Sequence, residues 1–194
     1  MADTGAPWNI PYVAGSDLVA DWPTDNQTMA EAIADALDLA NTIPQVVSAS
    51  KTDTFSTASN SLTPVTGLRA TITPGSATNK VLIIARVSIA PDAGVTGASS
   101  ALLRDGTPIH IGDAASPRGQ SSSASQTAND NYQMDQVMVY LDSPATTSAI
   151  NYDVAVTNAQ QNASTIYVNR SKGDGASTFI WRTTSSITAI EVTA

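Results

Sequence analysis

The chain has 194 residues, of which 13% are charged and 42% hydrophobic, with a formal net charge of −8, nine basic residues, one histidine and no cysteine. This length suits one domain with an appendage, which needs neither disulfides nor metals for stability. The lack of cysteine excludes thiolate zinc sites and cysteine nucleophiles, and the few scattered basic residues argue against nucleic acid as a partner.

Residues 1–23 form the first predicted element, an extended arm rich in Pro, Gly and Asp without regular periodicity. The arm has neither a basic start followed by an apolar run nor a long apolar segment. We therefore expect no signal peptide, no membrane insertion and synthesis in the cytoplasm. Its aromatic side chains Trp8, Tyr12 and Trp22 are too large for the arm to bury alone, so we predict that they pack on its own domain, a sister subunit or a larger partner.

The segment after Pro23 predicts one short α-helix, capped by Thr24 or Asp25 and ended by Pro44. Five of its positions are spaced as in the seam of associating helices: Met29, Ile33, Ala36, Ala40 and Ile43. This seam is too short for an independent coiled coil, but it would join helices of subunits that are already tethered. The alternative is a helix docked on its own domain. We assign residues 1–45 to attachment and oligomerisation.

Residues 46–194 change to a period of two and predict about eight to ten short strands rich in Val, Ile, Thr and Tyr. No helix interrupts them, which favours a mainly β protein with an antiparallel β-sandwich or jelly roll. The apolar run KVLIIARVSIA indicates a central strand, or one whose second face a partner subunit covers. In YQMDQVMVYL the apolar residues lack a clean alternation, which indicates a bulge or a strand buried on both faces. The segment STFIWRTT, residues 177–184, is also predicted as a strand.

The segment LLRDGTPIHIGD contains the most distinctive local signal. Asp105 and Gly106 predict a type I′ hairpin turn, because both central residues must adopt positive φ, and Pro108 indicates an edge strand. His110 alternates with isoleucines and is predicted to face solvent or a subunit interface. Catalysis by His110 would need a nucleophile and an orienting carboxylate that the sequence does not place, and no carboxylates stand out as a glycosidase pair. We predict no catalytic residue, no metal site and no cofactor.

The polar segment 112–131 follows this hairpin and is predicted to be a long loop. Loops longer than about 15 residues are uncommon in compact domains unless they bind a partner or are disordered.

Several motifs resemble, in the same order, the C-terminal domain of bacteriophage tail-fibre and minor structural proteins: GLRATITP, LLRDGTPI, IGDA, LDSPATTSA, YVNRS and a final SSIT followed by Glu. The similarity spans about residues 62–193. Domains of this family are trimeric jelly rolls of the tumour-necrosis-factor or C1q-like kind, usually at the distal end of a fibre. The resemblance therefore implies a homotrimer.

The segment NIPYVAGSDLVADWPTDNQTMAEAIADALD separately resembles the start of phage minor tail proteins, the end that joins the virion. The two resemblances imply a non-enzymatic virion structural protein on the tail or capsid surface, whose arm contacts other virion proteins through Trp8, Tyr12 and Trp22. No long shaft separates the helix from the β domain, so the implied tail fibre is short. A capsid decoration protein, a head spike and a tail adaptor are the alternatives.

A receptor-binding trimer would hold a host-surface glycan or protein weakly at each of its subunits and gain avidity from their linkage. Polar and aromatic loop residues are the candidate contacts: His110, Arg118, Tyr167, Asn169, Arg170 and Asp174. The alternative for YVNRSKGDG is a strand that ends in a Gly-Asp-Gly turn. A decoration protein would need no receptor.

Overall fold

A computed structural model describes residues 2–3, 11–12, 22–40, 45–92, 97–125, 132–158, 164–178 and 180–193. The chain divides into two compact units, Met1–Ile43 and Pro44–Ala194. The described residues are mainly β with one α-helix, and two antiparallel sheets pack as a sandwich. The predicted β-sandwich is therefore confirmed.

The first unit contains two short paired strands and the helix. Strand β1 (Ala2–Asp3) pairs antiparallel with β2 (Pro11–Tyr12), and helix α1 spans Trp22–Ala40. The helix begins two residues before the first of the predicted caps, since Pro23 lies in its first turn, where a missing N–H breaks no helical hydrogen bond.

The predicted helix seam is only partly within the described side chains. Met29 and Ala36 are half-buried and Ile33 is 39% exposed. The side chain of Ala40 and all of Ile43 lie outside the described residues. Leu37, one turn after Ile33, is 63% exposed, so the helix presents apolar side chains to solvent.

The second unit contains the remaining strands. They are, in chain order, β3 (Val46–Lys51), β4 (Phe55–Thr57), β5 (Thr63–Ile72), β6 (Lys80–Pro91), β7 (Ala98–Arg104), β8 (Thr107–Ile109), β9 (Ser123–Ser125), β10 (Met134–Asp142), β11 (Ile150–Asn158), β12 (Ile166–Val168) and β13 (Ser185–Val192).

The first sheet is organised around β6. Strand β10 pairs with one edge of β6, while β13 and β12 pair with successive parts of its other edge. Strands β3 and β4 then pair with β13 and β12. The prediction that KVLIIARVSIA forms a central strand is confirmed, because β6 has neighbours on both edges.

The second sheet has the order β5-β11-β7-β8, and β9 also pairs with β7. Asp105 and Gly106 join β7 to β8 with φ angles of 47° and 82°, the positive values that a type I′ turn requires. The predicted hairpin and the edge position of Pro108 are both confirmed.

The core lies between the two sheets, where alternate side chains of both meet. Its largest fully buried side chains are Leu68, Ile72, Ile83, Ile89, Leu102, Ile150, Tyr152, Ile166 and Ile187.

Two predicted segments differ from the structure. The described part of 177–184 contains no strand, and the predicted loop 112–131 contains the short strand β9.

Candidate functional site

Strand β10 directs Val137, Val139 and Leu141 away from the core, while Met138 packs inside it. Val137 is 58% exposed and Val139 is 55% exposed, whereas the alternating position Gln136 is 2% exposed. The pairing with β6 is regular from Met134 to Asp142, so the predicted bulge is wrong. The domain alone does not bury both faces of the strand, because Val137 and Val139 are exposed in the single chain. At Gln136 and its valine neighbour Val137 the usual pattern is reversed, because the amide is buried and the valine is exposed.

The outward side chains of β10 continue across the sheet as an apolar face. Val46 lies opposite Ile190, Ile190 opposite Leu82, and Leu82 opposite Leu141, which makes one row across the sheet. Ile84 and Val139 form part of the next row. We use "apolar face" for the outward-facing aliphatic residues Val46, Leu82, Ile84, Val137, Val139, Leu141, Ile190 and Val192.

Polar side chains border the apolar face on the same side of the sheet. Ser48 and Thr188 lie opposite each other with their hydroxyl oxygens 3.0 Å apart. Arg86 donates through Nη2 to Asp135 Oδ2 at 2.6 Å. A contiguous apolar patch with a polar border is typical of a surface that contacts another protein.

Gln136 points inward from β10 and bonds across the sandwich to the second sheet. Its Oε1 accepts from Ser100 Oγ at 2.5 Å, while its Nε2 donates to Ala98 O at 3.0 Å and to Ser125 Oγ at 2.7 Å. The buried amide therefore has its hydrogen bonds satisfied, which a low-dielectric interior requires. These bonds fix β10 against β7 and β9.

Asp142 makes a second link between the sheets and is 4% exposed. Its carboxylate accepts from Arg104 Nη1 at 3.0 Å on both oxygens and from the Tyr152 hydroxyl at 2.7 Å. Burial raises the pKa of Tyr152 far above its ordinary value, and the hydrogen bond to Asp142 raises this pKa further. Both oxygens of the Asp142 carboxylate accept hydrogen bonds from within the chain, so this cluster stabilises the fold.

Two predicted receptor contacts lie on the connection between β8 and β9. Strand β8 ends at Ile109, and His110 adopts a positive φ of 53°, so the predicted strand alternation does not reach it. The exposed His110 ring stacks on Tyr140 with 4.7 Å between centroids and 22° between planes. Arg118 lies in the exposed segment 111–120 and forms an isolated bridge with Ala115.

Three of the other predicted contacts come together in the structure. The Arg170 guanidinium lies 4.1 Å from the centre of the Tyr167 ring. Asp174 Oδ2 lies 3.9 Å from Arg170 Nη1 and 2.6 Å from Arg182 Nη2. This cluster comprises Tyr167 of β12 and charged residues that follow the strand.

Asn169 is the exception among these predicted contacts because it is fully buried. Its Nδ2 donates to Lys51 O and Asp53 O, both at 2.9 Å, and its Oδ1 accepts from Ser185 Oγ at 2.6 Å. Its positive φ of 60° suits asparagine, which tolerates the left-handed region. Asn169 holds neighbouring backbone segments together and has no surface for a receptor.

Sequence reasoning missed three further exposed residues, of which Arg182 contacts this cluster through Asp174. Trp181 is 69% exposed, Tyr132 is 62% exposed, and the Arg182 side chain is 56% exposed. Trp181 and Arg182 lie in STFIWRTT, which was predicted to form a strand because aromatic and β-branched residues are common in half-buried strands. The only available signal was a tryptophan and an arginine side by side in a segment that follows a Gly-Asp-Gly turn.

The predicted anchor residues belong to the first unit. Trp8 lies outside the described residues, as do the side chains of Tyr12 and Trp22. Across the residues that the structure describes, no group of three or more acidic or histidine side chains could hold a metal ion. The described helix is not long and apolar enough to cross a membrane.

No protein-family model matches the chain, and no curated protein sequence is significantly similar to it.

Proposed function

We propose that the chain is a non-enzymatic structural protein of a bacteriophage virion, namely a short homotrimeric tail fibre or receptor-binding minor tail protein attached through its first unit. The apolar face is the observation that supports this proposal best, because it suits a chain that functions as an assembly. The ordered motif resemblance in residues 62–193 supports the phage assignment, and the resemblance of the N-terminal segment supports attachment at that end.

The energetics of the apolar face favour association. Its most exposed members are Val46, Ile84, Val137, Val139 and Leu141, at 52, 41, 58, 55 and 45% exposure. Burying the remaining exposed half of each would contribute about 1 kcal/mol, and a closed trimer would bury one such face in every copy. The exposed Ile33 and Leu37 of α1 could add a second contact between copies.

A capsid decoration protein or head spike is the second candidate. Only five residues, 41–45, separate α1 from β3 in the sequence, so no long shaft segment lies between them. A chain without such a segment suits a lattice surface, and the same apolar face would then join neighbouring copies. Antibody labelling of intact virions, viewed by electron microscopy, distinguishes a tail position from a head position.

Oligomeric state tests the assembly itself. We expect light scattering of the purified full chain at micromolar concentration to give the mass of a trimer. Val139→Lys places a charge within the apolar face and should give the monomer mass with an unchanged circular dichroism spectrum. Thr107→Lys, an exposed change on β8, is the matched control and should remain trimeric. A monomeric wild-type chain would contradict the proposal.

A further inference from the structure

Strand β10 is an edge strand of the first sheet, and it lacks the features that usually protect such an edge. Among the described residues it pairs with β6 alone, and no backbone hydrogen bond outside this pairing involves residues 134–142. Its nine residues contain no proline, glycine or lysine, and its register with β6 has no bulge. Proteins usually blunt exposed edges with such residues, with bulges or with short strands. The free edge of β10 is therefore a template to which another strand can add.

The other edge strands of the described sandwich carry these protective features. Strands β4, β8 and β9 have three residues each, and β8 contains Pro108. Strand β3 has six residues and ends in Lys51. Strand β5 contains Gly67 with a φ of 84°, and its pairing with β11 shifts register. Within the described part of the second unit, β10 is thus the long and regular edge.

The hydrogen bonds between β10 and the second sheet are made by inward side chains. Gln136 Nε2 donates to Ser125 Oγ at 2.7 Å, and Met138 Sδ accepts from Ser100 Oγ at 3.6 Å. These contacts hold β10 in one position and do not use its backbone N–H and C=O groups. A fixed strand loses little conformational entropy when another strand adds to it, which favours association.

The charges of β10 do not oppose its approach to a second copy of itself. The whole chain has a net charge of −8, but residues 136–141 of β10 carry no charge. The two carboxylates that flank them are paired within the chain, Asp135 with Arg86 and Asp142 with Arg104. Like charges directly opposite each other destabilise a strand pair, and this stretch presents none.

The outward side chains of β10 fit a second copy of the same strand in one antiparallel register. If Val139 lies opposite the second copy's Val139, then Val137 lies opposite the second copy's Leu141. In this register Asp135 lies opposite Ser143, which follows the strand. No other antiparallel register that keeps the outward faces together pairs all three apolar side chains with one another. Apolar residues directly opposite each other stabilise a sheet, so the pattern of β10 is self-complementary.

We propose that β10 pairs with β10 of a second copy of this chain about a two-fold axis at Val139. Ile84 lies opposite Val139 within one copy, so the row runs Ile84, Val139, Val139, Ile84 across both copies. The apolar face thereby continues from one copy into the next.

This contact goes beyond the trimer of the proposed function, because a two-fold pair joins one copy of a trimer to a copy of another. A contact of one strand with another buries less than a standard interface of about 1,600 Å², so we expect it to be weak at micromolar concentration.

Single cysteines test the register, because the natural sequence has no cysteine and every disulfide must then join two copies. Directly opposite residues of antiparallel strands have Cα atoms about 4.5 to 5.5 Å apart, a distance that a disulfide spans. We expect Val139→Cys, oxidised mildly at high protein concentration, to migrate mostly as a covalent dimer on a non-reducing gel. Absence of the dimer would overturn the pairing.

Val137→Cys is the matched control, because Val137 lies on the same side of β10 and is 58% exposed against 55% for Val139. Its counterpart in the second copy would be about 14 Å away, so this variant should form no dimer. A mixture of Val137→Cys and Leu141→Cys should form the mixed dimer, since these residues lie opposite each other. Equal dimer formation by Val137→Cys and Val139→Cys would contradict the register.

Ile84→Cys distinguishes pairing of edges from packing of faces. Ile84 is 41% exposed on the apolar face, but edge pairing leaves its two copies three strand spacings apart, about 14 Å. It should therefore form no disulfide. A dimer as abundant as that of Val139→Cys would show that the copies meet face to face and would overturn edge pairing.

Hydrogen exchange of the wild-type chain tests the pairing without a substitution. In an edge strand alternate amides bond to the neighbouring strand, here β6, and the others face outward. We expect the outward amides of residues 135–141 to exchange more slowly as the protein concentration rises. An unchanged rate would contradict the pairing.

Light scattering keeps this inference separate from the proposed function. A trimeric wild-type chain whose Val139→Cys variant forms no dimer would leave the proposed function intact and overturn edge pairing. A monomeric wild-type chain whose Val139→Cys variant dimerises, while Val137→Cys and Ile84→Cys do not, would support edge pairing and contradict the trimer.

Discussion

Strands β10 and β13 lie on opposite edges of β6, and they differ most in their outward side chains. In β13 the outward Ser186 and Thr188 are polar, and only Ile190 and Val192 at its end belong to the apolar face. In β10 three outward side chains in succession are apolar, Val137, Val139 and Leu141, while the inward Gln136 and Asp142 accompany the core residue Met138. The outward surface of this sheet is therefore polar along the first half of β13 and apolar along most of β10.

The difference between these strands shows what each face of β10 contributes. Inward polar groups are tolerated because Gln136 and Asp142 each find donors or acceptors on the second sheet. Such bonds are directional, so they specify one register of β10 where apolar packing alone would allow several. The outward valines find no such partner among the described residues, and we infer that they acquire one by assembly.

The largest effect should follow from removing the inward carboxylate. Asp142→Ala leaves Arg104 and the buried Tyr152 hydroxyl without their acceptor, so we expect a loss of about 3 kcal/mol in the free energy of unfolding. Urea denaturation measures this loss. Asp135→Ala is the matched control, because its ion pair with Arg86 is 40 to 46% exposed and should contribute within about 0.5 kcal/mol. Equal losses would mean that the two faces of β10 do not differ in energetic importance.

A smaller effect should appear at alkaline pH through the same cluster. Burial raises the pKa of Tyr152 above its ordinary value of 10.0. Below about pH 10 the folded and unfolded states both retain the phenol proton, so stability is unaffected. Above about pH 10 only the unfolded state releases it, and the free energy of unfolding should fall by up to about 1.4 kcal/mol per pH unit.

Urea denaturation of the wild type and Tyr152→Phe between about pH 8 and 11 isolates this contribution. The variant lacks the phenol, so its stability should fall less steeply while other groups titrate equally in both chains. Parallel profiles would show that the Tyr152 hydroxyl is not held protonated by the fold.

The smallest effect should come from His110, which touches β10 at the sheet edge. His110→Ala removes the ring stacked on Tyr140, and we expect a loss of about 0.5 to 1 kcal/mol in the free energy of unfolding. His110→Phe keeps an aromatic ring and should restore most of it. If both variants lose equally, the contribution comes from imidazole hydrogen bonding and not from stacking.

Local sequence patterns predicted an element correctly where the residues of that element alone determine its structure. Asp105-Gly106 specifies its own turn, and the apolar length of KVLIIARVSIA specifies a central strand. The orientation of β10 could not be predicted in this way. A period of two shows that two faces alternate, but which face meets the core depends on Ser100, Arg104 and other partners distant in sequence.

The site surface was predicted only in part for a related reason. The motif YVNRSKGD predicted a strand followed by polar residues, but local pattern does not distinguish the buried Asn169 from the surface-forming Arg170 that follows it. Trp181 lies in a segment with high strand propensity. Its backbone hydrogen-bonds to the Gln133 side chain instead of a neighbouring strand, and no local pattern indicates such a bond.

The pairing of β3 has a consequence for synthesis on the ribosome. Residues 46–51 emerge early, but the strand that pairs with them, β13, comprises residues 185–192. Contacts between residues this distant in sequence form slowly. Before they form, the unpaired strand exposes an edge that is prone to aggregation. We therefore expect β3 and β13 to pair only after residue 190 has been translated. Until then, nascent chains on one polysome lack the completed sheet through which they would associate.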